Sequence, residues 1–150
     1  MRVISLNTWG GRALHPLMHF FERHRGDADI FCLQEVHDGD TTELRRRHPR
    51  EFVDAQSFQM TARELRGFRG EFARFPDDPH RMSLAMFVRT CVPVHEQRYF
   101  KIHEPAKRVE TGSAILSPRQ LQYAVVVVGG HEVLVANYHG IWTPDGKRDS

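Results

Sequence analysis

Three polar side chains that could bind phosphate or a metal ion each follow a short apolar segment of the chain. Asn7 follows the letters VISL, Glu35 follows IFCLQ, and His139 follows VLVANY. In α/β proteins the carboxyl ends of buried strands are where ligands collect. We therefore expect the three side chains to share one site, and an arrangement of this kind is typical of an enzyme's active site.

Each of the three residues has a chemical interpretation and a plainer structural one. Glu35 could be a carboxylate ligand for Mg²⁺, which prefers oxygen donors, or a surface glutamate where a strand leaves the core. Asn7 could orient a metal-bound water or Glu35, or it could cap the loop that follows. His139 could donate to a phosphoryl oxygen or protonate a leaving group, with Gly140 allowing close approach. Alone, it could equally be an ordinary loop histidine.

The elements that must position these side chains begin with a parallel strand pair. Residues 2–6 and 29–33 are apolar runs that predict buried strands, and residues 13–25 carry apolar side chains at helical spacing. A strand, a helix and a second strand in this order make a βαβ unit, whose two strands are parallel.

The rest of the chain predicts further strands, most of them joined as hairpins. We expect a short helix at 41–48, a strand at 52–58 and a long loop with a helical start at 60–79. Further strand-like runs lie at 83–88, 92–100, 114–116, 121–128 and 132–136. Gly129 and Gly130 predict a tight hairpin turn between the last two runs. A βαβ unit followed by hairpins indicates a mixed sheet.

The segment from residue 60 to residue 75 interleaves arginines with apolar side chains. Arginine beside aromatic rings could grip a nucleic-acid backbone and stack on bases. The alternative, which we favour, is a packed surface insertion with a charged outer side.

Length and composition limit the class of protein. The chain has 150 residues, 40% hydrophobic and 27% charged, with a formal net charge of +2, which suits one globular domain over residues 1–150. The apolar stretch at 124–128 is too short to cross a membrane. Cys32 and Cys91 both lie in apolar runs, so we expect two buried free thiols and a cytoplasmic location. Neither has a basic or CxxC context, which gives a thiol enzyme little support.

Taken together, the motifs resemble those of a known superfamily. Residues 6–9 (LNTW), 33–36 (LQEV) and 136–140 (ANYHG) resemble the endonuclease/exonuclease/phosphatase superfamily, and LQE is the most specific of them. Residues 83–89 resemble the central strand of that superfamily. Residues 146–149 resemble the start of its next helical region.

This resemblance implies a DNase I-like four-layer α/β sandwich with mixed sheets that hydrolyses phosphoesters with Mg²⁺ or Mn²⁺. Glu35 matches the metal-binding carboxylate, and Asn7 matches its partner in the metal and phosphate site. His139 matches the histidine that contacts the scissile phosphate, so the implied catalytic residues are His139, Asn7 and Glu35. The nucleophile would be an activated water, and no organic cofactor is implied.

The chain also departs from that pattern. The superfamily's Asp-x-Asn motif and its later Asp-His pair, which orient the water and complete the site, do not occur in residues 1–150. We therefore expect the N-terminal half of the fold, with little or no activity by itself. An apolar sheet face left uncovered would favour association.

The motifs leave the substrate open among DNA, RNA, a phospholipid head group and a phosphosugar, with the slight basicity favouring nucleic acid. The alternative function is a non-catalytic half-domain that binds nucleic acid or a partner chain. An exchange of Glu35 for alanine would separate the two, because binding driven by basic residues should survive it and weaken steeply with salt.

Overall fold

The computed structural model describes residues 1–39, 56–76, 82–103 and 119–140, the isolated residues 42 and 46, and the backbone of 142–143 and 146–147. The predicted helix at 41–48, apart from those two isolated positions, and the predicted strand at 114–116 lie outside the described residues.

The described residues form two α-helices, a short 3-10 helix at Trp9–Gly11 and nine strands. The helices are α1 (Leu14–His24) and α2 (Ser57–Glu64). The first strands are β1 (Val3–Asn7), β2 (Ile30–Val36), β3 (Phe68–Phe72) and β4 (Ser83–Arg89). They are followed by β5 (Val94–His103), β6 (Arg119–Val128) and β7 (His131–Tyr138). The two short strands β8 (Trp142–Thr143) and β9 (Gly146–Lys147) pair with each other.

The first sheet has the strand order β1-β2-β4-β3 and is mixed. Strands β1 and β2 are parallel and are joined through α1, which confirms the predicted βαβ unit. Strand β4 is antiparallel to both β2 and β3. The carboxyl ends of β1 and β2 therefore lie side by side at one edge of this sheet, as the sequence predicted.

The second sheet is antiparallel, with the order β5-β6-β7. Val128 pairs with His131 across a two-residue turn, and Gly129 and Gly130 have φ angles of 57° and 83°. Two successive residues with positive φ form the turn that matches the twist of the flanking strands. The predicted hairpin is therefore confirmed.

The two sheets pack face to face, with the helices on the far side of the first sheet. Alternate side chains of β2 point to opposite faces, as the pleat requires. Phe31 and Leu33 pack with Leu17 and Phe21 of α1. Ile30 and Cys32 instead pack against β6 and β7 in a second cluster. The described residues thus supply three layers of an α/β sandwich, one helical and two of sheet.

The outer face of the second sheet carries exposed apolar side chains. In β6, buried and partly buried residues alternate, so every second side chain points away from the first sheet. Phe100, Leu134 and Tyr138 are 48%, 66% and 38% exposed, and the ring of Phe100 contacts that of Tyr123. Within the described part of the chain, this face is not covered by a further layer.

Three predictions about the middle of the chain were wrong. Of the predicted strand at 52–58, residues 52–55 lie outside the described residues, and Ser57 and Phe58 belong to the helix α2 instead. The predicted loop at 60–79 contains the strand β3. Cys91 is exposed rather than buried, because it lies in the turn between β4 and β5.

The apolar side chains of the 60–75 segment are packed, in agreement with the favoured interpretation. Leu65, Phe72 and Phe75 are buried, while Arg63 and Arg66 are exposed. None of the described helices has the length and apolar character needed to cross a membrane.

Candidate active site

The ends of β1 and β2 are tied together by Thr8. Asn7 is the register partner of Gln34 at the last paired position. The Thr8 backbone N–H donates to the Gln34 carbonyl at 2.9 Å. The Thr8 hydroxyl lies 2.9 Å from the same oxygen and 3.0 Å from the Glu35 carbonyl oxygen. Because Thr8 is buried, these contacts fix the backbone of Glu35 against the end of β1.

Glu35 lies on a bulge. The pairing of β2 with β4 shifts between Leu33 and Val36, and Glu35 has a φ of 56°. This left-handed conformation costs an L-residue other than glycine about 1–2 kcal/mol. A bulge re-aims the side chains around it and is common beside active sites. Here it leaves Gln34 buried between the sheets while the side chain of Glu35 is directed elsewhere, toward His139.

A buried hydrogen-bond network holds the two sheets together next to Glu35. The Gln34 side-chain N–H donates to Asn137 Oδ1 at 2.8 Å. Asn137 Nδ2 donates in turn to the carbonyl oxygens of Leu33 and Ala85, at 3.0 Å and 3.1 Å. Buried polar groups that are satisfied in this way make a packing unique. The network fixes the end of β7, and therefore the position of His139, relative to β2.

Glu35 and His139 meet across the two sheets. His139 Nε2 lies 3.6 Å from Glu35 Oε1, and the two side chains are only 16% and 20% exposed. The distance is longer than a hydrogen bond and lies within the range of an ion pair when the imidazole is protonated. A carboxylate and an imidazole, 104 positions apart in the sequence, thus face the same small volume.

Asn7 lies at the same edge, but its observed contact is a local one. Asn7 Oδ1 accepts a hydrogen bond from the Trp9 backbone N–H at 2.8 Å, which is the capping role that the sequence left open. An amide oxygen has a second lone pair, so this contact does not exclude metal binding.

Arg119 is a site residue that the sequence analysis missed. Its Nε is buried and has no hydrogen-bond partner among the described residues. Burial lowers the pKa of Arg119, and the nearby Tyr138 and Glu35 partly offset that effect because they favour the charged form. The predicted strand began at residue 121, so no pattern placed Arg119 at the start of β6, beside Glu35.

The structure weighs against Cys32 as a nucleophile. Burial raises the pKa of the Cys32 thiol to about 12, so the nucleophilic thiolate is scarce at neutral pH.

Comparison with known proteins places this geometry in a known fold. No protein-family model and no curated protein sequence matches the chain, but solved structures do. TDP2 from D. rerio, humanised by 14 mutations, is similar with a TM-score of 0.63 and 15% identity, over 95% of this chain and 48% of that one. An endonuclease/exonuclease/phosphatase from Bacteroides vulgatus has a TM-score of 0.60 and 16% identity, over 93% and 52%. ANGEL2, a 2',3'-cyclic phosphatase, has 0.51 and 18%, over 89% and 31%.

The chain therefore has the DNase I-like fold of the endonuclease/exonuclease/phosphatase superfamily, and the predicted fold class is confirmed. It spans about half the length of the first two of these solved structures and about a third of the length of ANGEL2. At these identities the likeness establishes the fold, while the site is described by the contacts of this chain alone.

Proposed function

We propose that the chain carries part of the active site of a divalent-metal-dependent phosphoester hydrolase. The observation that supports this most directly is the approach of His139 Nε2 to Glu35 Oε1 at 3.6 Å in a largely buried setting. The solved structures of this fold include one named as a 2',3'-cyclic phosphatase.

Glu35 and Asn7 would hold Mg²⁺ or Mn²⁺. The donors suit such an ion in kind, because Mg²⁺ is often bound by one or two carboxylates and keeps several waters. Within the described residues, no group of three or more His, Cys, Asp or Glu side chains is arranged to hold a metal ion. When bound, the ion would neutralise charge on a phosphoryl oxygen and on the leaving oxygen.

His139 and Arg119 would act on the phosphate itself. The His139 imidazole donates a hydrogen bond to a phosphoryl oxygen, and its nearness to Glu35 sets its orientation. Arg119 would add a positive charge near Glu35, in partly dry surroundings where its attraction for an anion is strengthened. None of these four side chains is assigned as the base that activates the water, so we expect slow turnover from this chain alone.

Metal binding gives the first test. Titration of Mn²⁺ monitored by electron paramagnetic resonance should show a site that Glu35→Gln weakens at least about ten-fold, since a charged ligand is lost. The matched control is Glu132→Gln, which alters a carboxylate–histidine pair on the exposed surface, His95 with Glu132 at 2.6 Å. Equal Mn²⁺ affinity in the wild type and Glu35→Gln would contradict the proposal.

Hydrolysis gives the second test. Bis(4-nitrophenyl) phosphate should be cleaved only with Mg²⁺ or Mn²⁺, and His139→Gln and Glu35→Gln should each abolish the measured rate. Cleavage that survives chelation of divalent ions would contradict metal dependence.

A second candidate function is a non-catalytic module that binds a partner chain. The exposed apolar side chains of Phe100, Leu134 and Tyr138 favour it, because large apolar patches often mark interaction sites. In that case Glu35→Ala would leave partner binding unchanged, whereas Leu134→Glu would weaken it.

A further inference from the structure

Trp9 combines two unfavourable features that its surroundings do not explain. Its φ is 53°, a conformation that is a genuine outlier for a bulky residue. Its side chain is nonetheless 59% exposed, so the indole gains little from burial. A glycine or asparagine would suit this backbone better. Strain that the structure does not need is a reason to look for a function.

The turn that presents Trp9 is tightly built. Gly10 and Gly11 also have positive φ angles, 63° and 76°, and both are buried. The Trp9 N–H donates to Asn7 Oδ1 at 2.8 Å, and Gly11 N–H donates to the Thr8 carbonyl at 3.0 Å. Because Thr8 also contacts the Glu35 carbonyl, the backbone that carries the indole is held at a fixed place relative to the candidate active site.

A guanidinium group lies against the indole. The Arg12 Cζ is 5.2 Å from the centroid of the Trp9 ring, within the range of a cation–π interaction. Arg12, five positions after Asn7 in the sequence, therefore brings a positive charge next to an exposed aromatic ring. Aromatic rings combined with arginine are what proteins use to stack on bases without reading their sequence.

We propose that Trp9 and Arg12 form a stacking platform for the nucleobase of a nucleotide phosphoester whose phosphate lies at Glu35, Asn7 and His139. The face of the indole turned away from Arg12 stacks on the base. The assignment of the phosphate position rests on the proposed function, but the stacking does not. The stacking platform narrows the substrate from phosphoesters in general to those of nucleotides, since an acyl chain or a phosphosugar offers no flat π ring.

Tryptophan fluorescence tests the platform directly. The chain has two tryptophans, so Trp142→Phe leaves Trp9 as the only indole. In that background we would titrate adenosine 5'-monophosphate, adenosine and ribose 5-phosphate, each with and without Mg²⁺. Adenosine and its monophosphate should quench Trp9, and ribose 5-phosphate should not. An absence of Trp9 quenching by adenosine and its monophosphate, both with and without Mg²⁺, would overturn the proposal.

Substitutions separate the base from the phosphate. Followed by equilibrium dialysis, Trp9→Ala should weaken adenosine monophosphate binding about ten-fold and leave ribose 5-phosphate binding unchanged, while Trp9→Phe should retain most of the affinity. Phe100→Ala, which removes another exposed aromatic ring, is the matched control. Equal weakening by Trp9→Ala and Phe100→Ala would overturn the platform.

The two proposals fail differently. If the platform is correct and the phosphate site is not, adenosine and its monophosphate bind equally and Mg²⁺ has no effect. If the phosphate site is correct and the platform is not, ribose 5-phosphate binds as tightly as the monophosphate and Glu35→Gln weakens both.

Discussion

The two ends of the sandwich differ in the contacts that join the sheets and in the residues that adopt positive φ angles. At the hairpin end, where β6 turns into β7, the space between the sheets is filled by valines, and the positive φ angles belong to Gly129 and Gly130. At the site end, where β2 and β7 finish, the sheets are joined through Gln34 and Asn137, and positive φ angles occur at Trp9 and Glu35. At the hairpin end, both the packing and the backbone conformation favour stability. At the site end, two residues other than glycine adopt a strained backbone conformation.

The largest expected effect concerns the polar link at the site end. Asn137→Leu would leave the Gln34 amide and the Leu33 and Ala85 carbonyls buried without that partner, and each such group costs about 1–3 kcal/mol. We expect the free energy of unfolding, measured with urea, to fall by roughly 3 kcal/mol. At the hairpin end, Val133→Ala should cost about 1 kcal/mol. A loss below that value for Asn137→Leu would show that apolar packing holds both ends.

The next effect tests the glycines of the hairpin end. Gly130→Ala forces a Cβ into a φ of 83° and should lower the free energy of unfolding by about 1–2 kcal/mol. The control is Gly26→Ala, where φ is not positive and nothing lies within 4 Å of an added Cβ. That change should be neutral or stabilising. Equal losses of stability in Gly130→Ala and Gly26→Ala would show that the positive φ of Gly130 does not determine the cost.

The strain at the site end should make glycine variants more stable than alanine variants, which reverses the usual order. At an ordinary position glycine is less stable than alanine by about 0.5–1 kcal/mol. At Trp9 and at Glu35 we expect the glycine variant to be more stable than the alanine variant by about that amount, because both variants lose the same side chain and differ only in the cost of positive φ. Thermal unfolding of the four variants measures this, and alanine variants that are the more stable would show that neither position is strained.

At neutral pH, the two thiols have the smallest expected effect on stability. Cys91 is exposed and Cys32 is buried between the sheets, so a thiol reagent at neutral pH should modify one cysteine in the folded chain and two after unfolding. Since the pKa of Cys32 rises from 9.0 to about 12 on folding, the contribution of this thiol to stability should be constant below about pH 9 and fall between pH 9 and 12. Cys32→Ala should remove that decline, and a decline that persists would assign it to other groups.

The sequence predicted the parts of this molecule that follow local rules. The apolar runs around Asn7, Glu35 and His139 were strands, the helix at 13–25 joined a parallel pair, and the two glycines made the hairpin. Each of these features depends on spacing along the chain or on the conformational freedom of glycine. The resemblance of the LQE motif then led to the fold that the solved structures confirm.

What the sequence did not predict depends on contacts between distant residues. The bulge at Glu35 arises from pairing with β4, and no residue type there signals a positive φ. Arg119 comes near Glu35 only because β6 packs against β4, the neighbour of β2 in the first sheet. The strand β3 was hidden by the glycine and arginines of a segment that reads as a loop. Trp9 looked like part of a motif, and only its φ angle and exposure singled it out.

The hydrogen bond between Gln34 and Asn137 joins residues 103 positions apart in the sequence. Closing so long a loop carries an entropy cost before any contact can offset it, and folds dominated by distant contacts form slowly. The βαβ unit and the hairpin can each form from local contacts while Glu35 and His139 are still far apart. We therefore expect the candidate active site to be among the last features to assemble as the chain folds, so that the distance between those two side chains would follow the final step of folding.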